Sequence, residues 1–167
     1  MSPSPSSPCA AKPRCPESSR SSIGRRLSAG AAWLVFLAVA VVLQHWGGAY
    51  RTELSGYPDE PAHFVSGVMV SRYLTTLPPA PMVPFAADYY VHYPKVAIGH
   101  WPPVFYFVQG VWFLLLGVSR SSILLLIALI SSLVSVTLFT VVRKEFGLWT
   151  GVAAGLLFQC IPVVWRS

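Results

Sequence analysis

The sequence predicts an all-α integral membrane protein with about three transmembrane helices and short juxtamembrane helices in its first extracytoplasmic loop. Of its 167 residues, 54% are hydrophobic and 11% are charged, whereas a soluble domain has about 25% charged residues. Mostly apolar runs long enough to span a bilayer occur at 29–48, 123–142 and 148–165. The net charge of +6 comes without a basic-aromatic stripe, so nucleic acid is not a predicted partner.

Residues 1–28 are rich in Ser and Pro and basic in charge. Such a segment buries too little apolar area to order itself, so we predict a disordered tail. Its charge directly before the first span predicts a cytoplasmic N-terminus and insertion into the inner or plasma membrane. A cleaved signal peptide is the alternative for 29–48, because Gly47 and Gly48 offer small residues at a cleavage site. The later spans favour retention of the segment as an anchor.

The external loop predicted at 49–122 contains an acidic pair, Asp59-Glu60, bracketed by Pro58 and Pro61. The simplest interpretation is structural, since Pro suits the first turn of a helix and an acidic residue suits its N-cap. Apolar spacing then predicts a surface helix at about 60–76. A rigid carboxylate pair beside a membrane segment can also meet a lipid-borne substrate.

Residues 85–100 are predicted to form a loop rich in Tyr, with charged and His residues between the rings. These aromatics suit either an interfacial belt or a platform for a sugar or a lipid phosphate. An aromatic helix follows at 101–117. If that helix crossed the bilayer, Arg143 and Lys144 would lie opposite the basic tail. The positive-inside rule therefore favours a helix that does not cross, although the position of Arg120 weakly favours a helix that does.

The order of these elements resembles the N-terminus of the GT-C glycosyltransferases over residues 29–167. The residues that carry the resemblance are the Pro-Asp-Glu context at Asp59, the Pro-Pro aromatic helix at 101–117 and the Arg-Lys-x-Phe-Gly junction that begins at Arg143. More narrowly, the chain is similar to the polyprenyl-phosphate-sugar-dependent branch, with protein O-mannosyltransferases and the lipid A aminoarabinose transferase. That family's second external acidic residue would follow beyond Ser167. The resemblance therefore implies an N-terminal part of a larger enzyme, inactive by itself.

The resemblance implies a polyprenyl-phosphate-linked sugar and membrane lipid as partners, and it implies roles for particular residues. Asp59 would orient the attacking group, with Glu60 as its partner or as a carboxylate facing a metal. Several relatives have a Lys before the Pro pair, where this chain has His100. Arg72, Lys95 and His100 therefore all remain candidates for binding the lipid phosphate. The full set of predicted substrate-binding residues is His63, Arg72, Tyr93, Lys95 and His100.

Other classes of protein remain alternatives. No cofactor is identified, and a divalent metal ion is left open. A zinc site built from His63, His92 and His100 lacks the short spacing that makes such sites recognisable. A non-enzymatic membrane assembly or transporter fragment is the stronger rival. The predicted spans nevertheless contain no Asp, Glu, Lys or Arg, and a transporter commonly places such residues inside the membrane.

Overall fold

The described part of the chain is built from six α-helices. A computed structural model describes residues 18–51, 59–76, 81–96 and 102–161, and every regular element within these ranges is helical. In chain order the helices are α1 (Ser18–Trp46), α2 (Glu60–Thr75), α3 (Met82–His92), α4 (Pro103–Leu116), α5 (Arg120–Phe146) and α6 (Leu148–Gln159). The predicted all-α class is therefore confirmed.

Two of these helices are long and apolar enough to cross a membrane. They contain the stretches Ala29–Trp46 in α1 and Arg120–Phe146 in α5, of which only 17% and 33% are buried within the chain. A core helix of a soluble protein would be mostly buried, but here large apolar side chains such as Leu34 and Val42 are each 59% exposed. Exposed apolar side chains of this kind are typical of a helix surface that faces lipid or another protein. The third predicted span, 148–165, corresponds in part to α6, a shorter apolar helix, and residues 162–167 lie outside the described ranges.

Helices α1 and α5 pack against each other in antiparallel directions. Near the end of α1, Nε2 of Gln44 donates a hydrogen bond of 3.0 Å to the carbonyl oxygen of Leu124, near the start of α5. Further back along α1, the ring of Phe36 meets that of Phe139, near the end of α5, with centroids 6.0 Å apart. The end of α1 and the beginning of α5 therefore lie at the same end of the bundle.

Glycines allow α6 to lie close to this pair. Gly147 ends α5 with φ at +91°, a left-handed conformation that favours Gly, and α6 turns back from it. A Cβ on Gly151 would lie 2.9 Å from the carbonyl oxygen of Phe139, and one on Gly155 would lie 2.5 Å from the Phe36 ring. Small residues four apart allow this close helix contact, as they commonly do inside membranes.

Helices α2 and α4 form a second pair that rests on the start of α5. The rings of Phe64 and Phe113 meet edge to face at 5.4 Å, and Trp112 donates a 2.8 Å hydrogen bond from Nε1 to the carbonyl oxygen of Ser122. Helix α4 has 14 residues, which rise only about 21 Å, less than the roughly 30 Å of a hydrocarbon core. Helix α4 is therefore too short to cross a bilayer by itself, unlike α1 and α5.

The structure differs from the sequence predictions at two places. Helix α1 begins at Ser18 rather than at 29, because the last Pro of the tail is Pro16 and residues 18–28 contain none to break a helix; residues 1–17 lie outside the described ranges. The loop predicted at 85–100 is wrong over its first half, where α3 forms. Pro84 falls in the first turn of α3, where Pro is tolerated, and Tyr89 follows Phe85 at helical spacing and stacks on it.

Candidate active site

The acidic pair lies at the beginning of α2. Asp59 occupies the N-cap position, but its backbone is helical, with φ −86° and ψ −16°, and its side chain makes no capping hydrogen bond. A side-chain cap normally requires an extended N-cap backbone, so the conformation explains the missing bond. The Asp59 side chain is exposed. The Asp59 side chain therefore does not cap α2, contrary to the structural interpretation of the acidic pair.

Glu60 forms an ion pair with Arg120, the first residue of α5. The guanidinium Nη2 lies 3.3 Å from Oε1 of Glu60, and the two side chains are 14% and 18% exposed. Nε of the same Arg120 donates a 2.8 Å hydrogen bond to the carbonyl oxygen of Ala49, directly after α1. One side chain thus joins the end of α1, the beginning of α2 and the beginning of α5.

One turn further along α2, His63 joins a polar cluster shared with α4. Its Nδ1 lies 2.8 Å from the hydroxyl oxygen of Tyr106, and Tyr106 is also hydrogen-bonded to Ser66. Burial raises the pKa of Tyr106, while the bond with Ser66 acts in the opposite direction. The Ser66 hydroxyl donates in turn to the carbonyl oxygen of Ala62 at 2.7 Å.

These groups surround a cavity of about 210 Å³ between α2, α4 and α5. Its polar wall contains Glu60, His63, Gln109 and Arg120, and its apolar wall contains Phe64, Phe105, Ile123, Leu124 and Ile127. Gln109 is 1% exposed, and its Oε1 is buried with no hydrogen-bond partner among the described residues. Since a buried polar atom normally has a partner, the cavity is suited to a ligand that supplies one.

The predicted site residues divide between two places. Glu60 and His63 line the cavity, and Asp59 directly precedes them. Arg72 is exposed in the last turn of α2, about 18 Å from Glu60 along the helix axis. Tyr93 follows α3 and stacks on Tyr89 with centroids 4.7 Å apart.

The surface around Arg72 and Tyr93 is formed by a row of aromatic rings. The row continues from Tyr89 to Phe85 and on to Tyr73, with centroid distances of 6.1 and 5.3 Å. Burial raises the pKa of Tyr89, and the positive charge of Arg72 opposes that shift. Lys95 is exposed two residues beyond Tyr93, and His100 lies outside the described ranges. We call this region the aromatic row.

Three polar residues in or beside the cavity were not predicted as site residues: Arg120 and Gln109 line it, and Tyr106 contacts His63 next to it. Arg120 was interpreted only as a weak topological signal, although a single charge between two apolar segments also suggests a buried ion pair. Gln109 is a polar residue inside a helix that is otherwise almost entirely apolar and aromatic, which is a comparable signal. No sequence signal distinguished Tyr106, because it is one of several aromatic residues in α4. As for metals, the described residues contain no group of three or more His, Cys, Asp or Glu side chains that could hold an ion.

The fold and the site together define a helical protein with two helices that could cross a membrane, and with an acidic pair beside a mostly apolar cavity at one end of its bundle. A sequence model of the dolichyl-phosphate-mannose-protein mannosyltransferase family matches residues 100–166, which include α4, α5 and α6 and therefore Tyr106, Gln109 and Arg120. No curated protein and no solved structure matches the chain. The match makes residues 100–166 similar to that family and, with the apolar helices, points to an integral membrane protein.

Proposed function

We propose that this protein is a membrane glycosyltransferase that moves a sugar from a polyprenyl-phosphate donor to an acceptor on the extracytoplasmic side. The observation that carries the proposal is the Asp59-Glu60 pair at the start of α2, where Glu60 lines a mostly apolar cavity at the end of two candidate membrane helices. The family match begins at residue 100, so it supports the class of protein without including this pair. The pair itself is argued from its geometry.

The two carboxylates have different surroundings and therefore different proposed roles. Glu60 is held by Arg120 in a largely buried ion pair, which fixes the position of its carboxylate. Asp59 is exposed and makes no capping bond, so its oxygens can accept a hydrogen from an incoming hydroxyl or amine. We therefore assign Asp59 to orient and activate the acceptor, and Glu60 to hold the start of α2 in place.

The lipid end of the donor needs an apolar surface, and the aromatic row offers one with cations nearby. Arg72 and Lys95 are both exposed, and His100 remains a predicted substrate-binding residue. Tyr93, 43% exposed and stacked on Tyr89, offers a flat apolar surface next to these charges. The anomeric carbon is bonded directly to the donor phosphate, so the reacting phosphate must lie close to Asp59, whereas Arg72 is about 18 Å from Glu60 along α2. We therefore propose that the row binds the isoprenoid chain of the donor.

The proposed topology follows from the contacts at the end of the bundle. Arg120 bonds to the carbonyl of Ala49, so α5 starts at the level where α1 stops. The chain between them then leaves and re-enters the membrane on the same side, with α2 and α4 lying against the start of α5. The basic ends of α1 and α5 share the opposite side, as the positive-inside rule requires of a cytoplasmic face. Helix α4 is accordingly proposed to lie along the interface without crossing.

A photoreactive donor tests the proposal. The protein in lipid nanodiscs is irradiated with a polyprenyl-phosphate sugar that carries a diazirine in its first isoprene unit. We expect cross-links in α2, α3 and α4 that excess unlabelled donor removes, and that the matching polyprenol without phosphate and sugar leaves in place. Replacing Arg72 by Gln should weaken the labelling, whereas Arg143→Gln, an exposed Arg at the other end of the bundle, should not. Labelling that the unlabelled donor does not reduce would refute the proposal.

A further inference from the structure

Helix α4 turns its polar side chains inward and its apolar side chains outward. Tyr106 and Gln109, which with Trp112 carry the polar side-chain atoms of this helix, are only 6% and 1% exposed. Every exposed position of α4 is apolar, and the most exposed are Val104 and Leu115, at 71% and 74%. A helix on a protein surface in water has the opposite arrangement. The outward face of α4 is therefore suited to an apolar partner.

The side chains on that outward face indicate which partner covers it. Helices that pack together inside membranes use small residues at their contact, and the small residue of α4, Gly110, faces α2 instead. A Cβ on Gly110 would lie 2.7 Å from Cγ1 of Val70. The outward face consists of Val, Phe and Leu with a Pro at its start. Such bulky side chains suit the mobile chains of lipids better than the close approach of another helix.

Contacts with α5 place α4 beside the apolar stretch of that helix. Phe113 belongs to one buried cluster with Ile123 and Leu126 of α5. Leu126 lies about 9 Å along the axis from the first residue of α5, within the stretch that could cross a membrane. Leu125, at the same level, is 36% exposed. The outward face of α4 therefore continues the exposed apolar surface of a candidate membrane span.

Phe105 belongs both to this outward face and to the wall of the cavity between α2, α4 and α5. It is 37% exposed, whereas the other cavity-lining residues that the structure describes are buried or partly buried. Behind Phe105 the wall is mainly apolar and includes Ile123 and Leu124. An apolar chain that passes the Phe105 ring therefore remains among apolar groups, which favours its transfer from the bilayer.

We propose that this cavity opens sideways into the outer leaflet at Phe105, and that a membrane lipid inserts an apolar chain through the opening. The outer leaflet is the one on the side where α1 ends and α5 begins. The Phe105 ring is the gate between the cavity and the lipid. The inference rests on the proposed function in one respect: in the transferase, the chain belongs to a lipid-linked substrate. That substrate then reaches Asp59 from within the bilayer rather than from water.

Cross-linking to a photoreactive phospholipid tests the opening. The protein is irradiated in phosphatidylcholine nanodiscs that contain a phosphatidylcholine with a diazirine in the upper part of one acyl chain, and mass spectrometry locates the labels. We expect labels at Val104 and Leu115 on the outward face of α4. We also expect a label at Ile123, which lines the cavity although it is only 9% exposed. Leu126, 4% exposed on the same helix and not part of the cavity wall, should stay unlabelled.

Variants of Phe105 test the gate. Phe105→Ala removes the ring between the cavity and the lipid, so it should raise the labelling of Ile123 several-fold relative to that of Leu115. Phe105→Trp should lower the same ratio. The matched control is Phe107→Ala, since Phe107 is 55% exposed on the same helix but does not line the cavity; it should leave the ratio unchanged. If Phe105→Ala does not fold, Phe105→Leu serves instead and should give a smaller increase.

Three outcomes would overturn the inference. The first is labelling of Ile123 no stronger than that of Leu126, and the second is an equal response to Phe105→Ala and Phe107→Ala. The third is labelling of Ile123 by a water-soluble diazirine but not by the phospholipid, which would mean that the cavity opens to water.

The phospholipid probe requires neither the donor nor sugar transfer, so this test and that of the proposed function can fail separately. A protein that admits the phospholipid chain at Phe105 but is not cross-linked specifically by the polyprenyl-phosphate sugar would retain the side opening while refuting the proposed function. Specific labelling by the donor, with Ile123 unlabelled by the phospholipid, would refute the side opening alone.

Discussion

The Glu60–Arg120 ion pair gives the sharpest energetic prediction. At 3.3 Å the two charges attract by about 5 kcal/mol with an effective dielectric constant of roughly 20, and desolvation offsets much of that attraction. Removing one partner leaves the other charge largely buried without its counter-ion, which typically costs about 3–5 kcal/mol. Since both side chains retain some exposure, we expect Arg120→Met to lower the free energy of unfolding by about 3 kcal/mol.

A double-mutant cycle separates the pair from the other contact of Arg120. Glu60→Gln, Arg120→Met and the double variant are unfolded reversibly by SDS in mixed micelles, and the double variant should lose about 1–3 kcal/mol less than the sum of the single losses. Arg143→Met is the matched control, because Arg143 is exposed and its guanidinium carbon lies over the face of Phe139, 5.5 Å from the ring centroid. Its cost should be about 0.5–1 kcal/mol. Strictly additive losses for Glu60 and Arg120 would show that the ion pair does not hold the start of α2.

Three further predictions follow from single positions. Asp59→Asn should abolish sugar transfer by the full-length protein, and an active Asn variant would remove Asp59 from the mechanism. Asp59→Ala should leave the free energy of unfolding within about 0.5 kcal/mol of the parent value, since no capping bond is lost. Gly155→Ala should cost about 1–3 kcal/mol in SDS unfolding because the added Cβ meets Phe36, and Gly30→Ala, with open space around it, should cost nothing. Burial raises the pKa of Tyr106 above its ordinary 10.0, so the folded protein keeps a proton that the unfolded chain releases. The free energy of unfolding should then be constant below the ordinary Tyr pKa of 10.0 and fall as the pH rises above it. Tyr106→Phe should reduce that fall.

Helices with a strong local signal were predicted well. A helix at about 60–76 was expected from the Pro and acidic residues at its start, and the structure has α2 at Glu60–Thr75. The apolar run at 123–142 lies within α5. Helix α3 was missed because its stability comes from contacts of Phe85 and Tyr89 with each other and with α2, while the surrounding Pro residues suggested a loop. Local sequence could not reveal that packing.

Sequence could group residues around the cavity only where they share a helix. Glu60 and His63 lie three positions apart on α2, so a pattern on one helix brought them together. Arg120 reaches Glu60 across 60 residues of sequence, and no spacing rule identifies such a contact. Arg72 was predicted, with Lys95 and His100, as a candidate for binding the lipid phosphate, but the length of α2 separates it from the acidic pair by about 18 Å.

The hydrogen bond from Gln44 to Leu124 also has a consequence for biosynthesis. The two residues are 80 positions apart, so at about 5–20 residues per second the ribosome needs roughly 4–16 s to supply the partner. During that interval Tyr50 can already donate to Oε1 of Gln44, but the amide hydrogens have no acceptor from α5. A polar group left unsatisfied in lipid costs several kcal/mol. Because Gln44 lies only two residues before the end of α1, its amide hydrogens should bond to water at the membrane surface in the newly inserted helix, and exchange that water for the Leu124 carbonyl only when α5 arrives beside it.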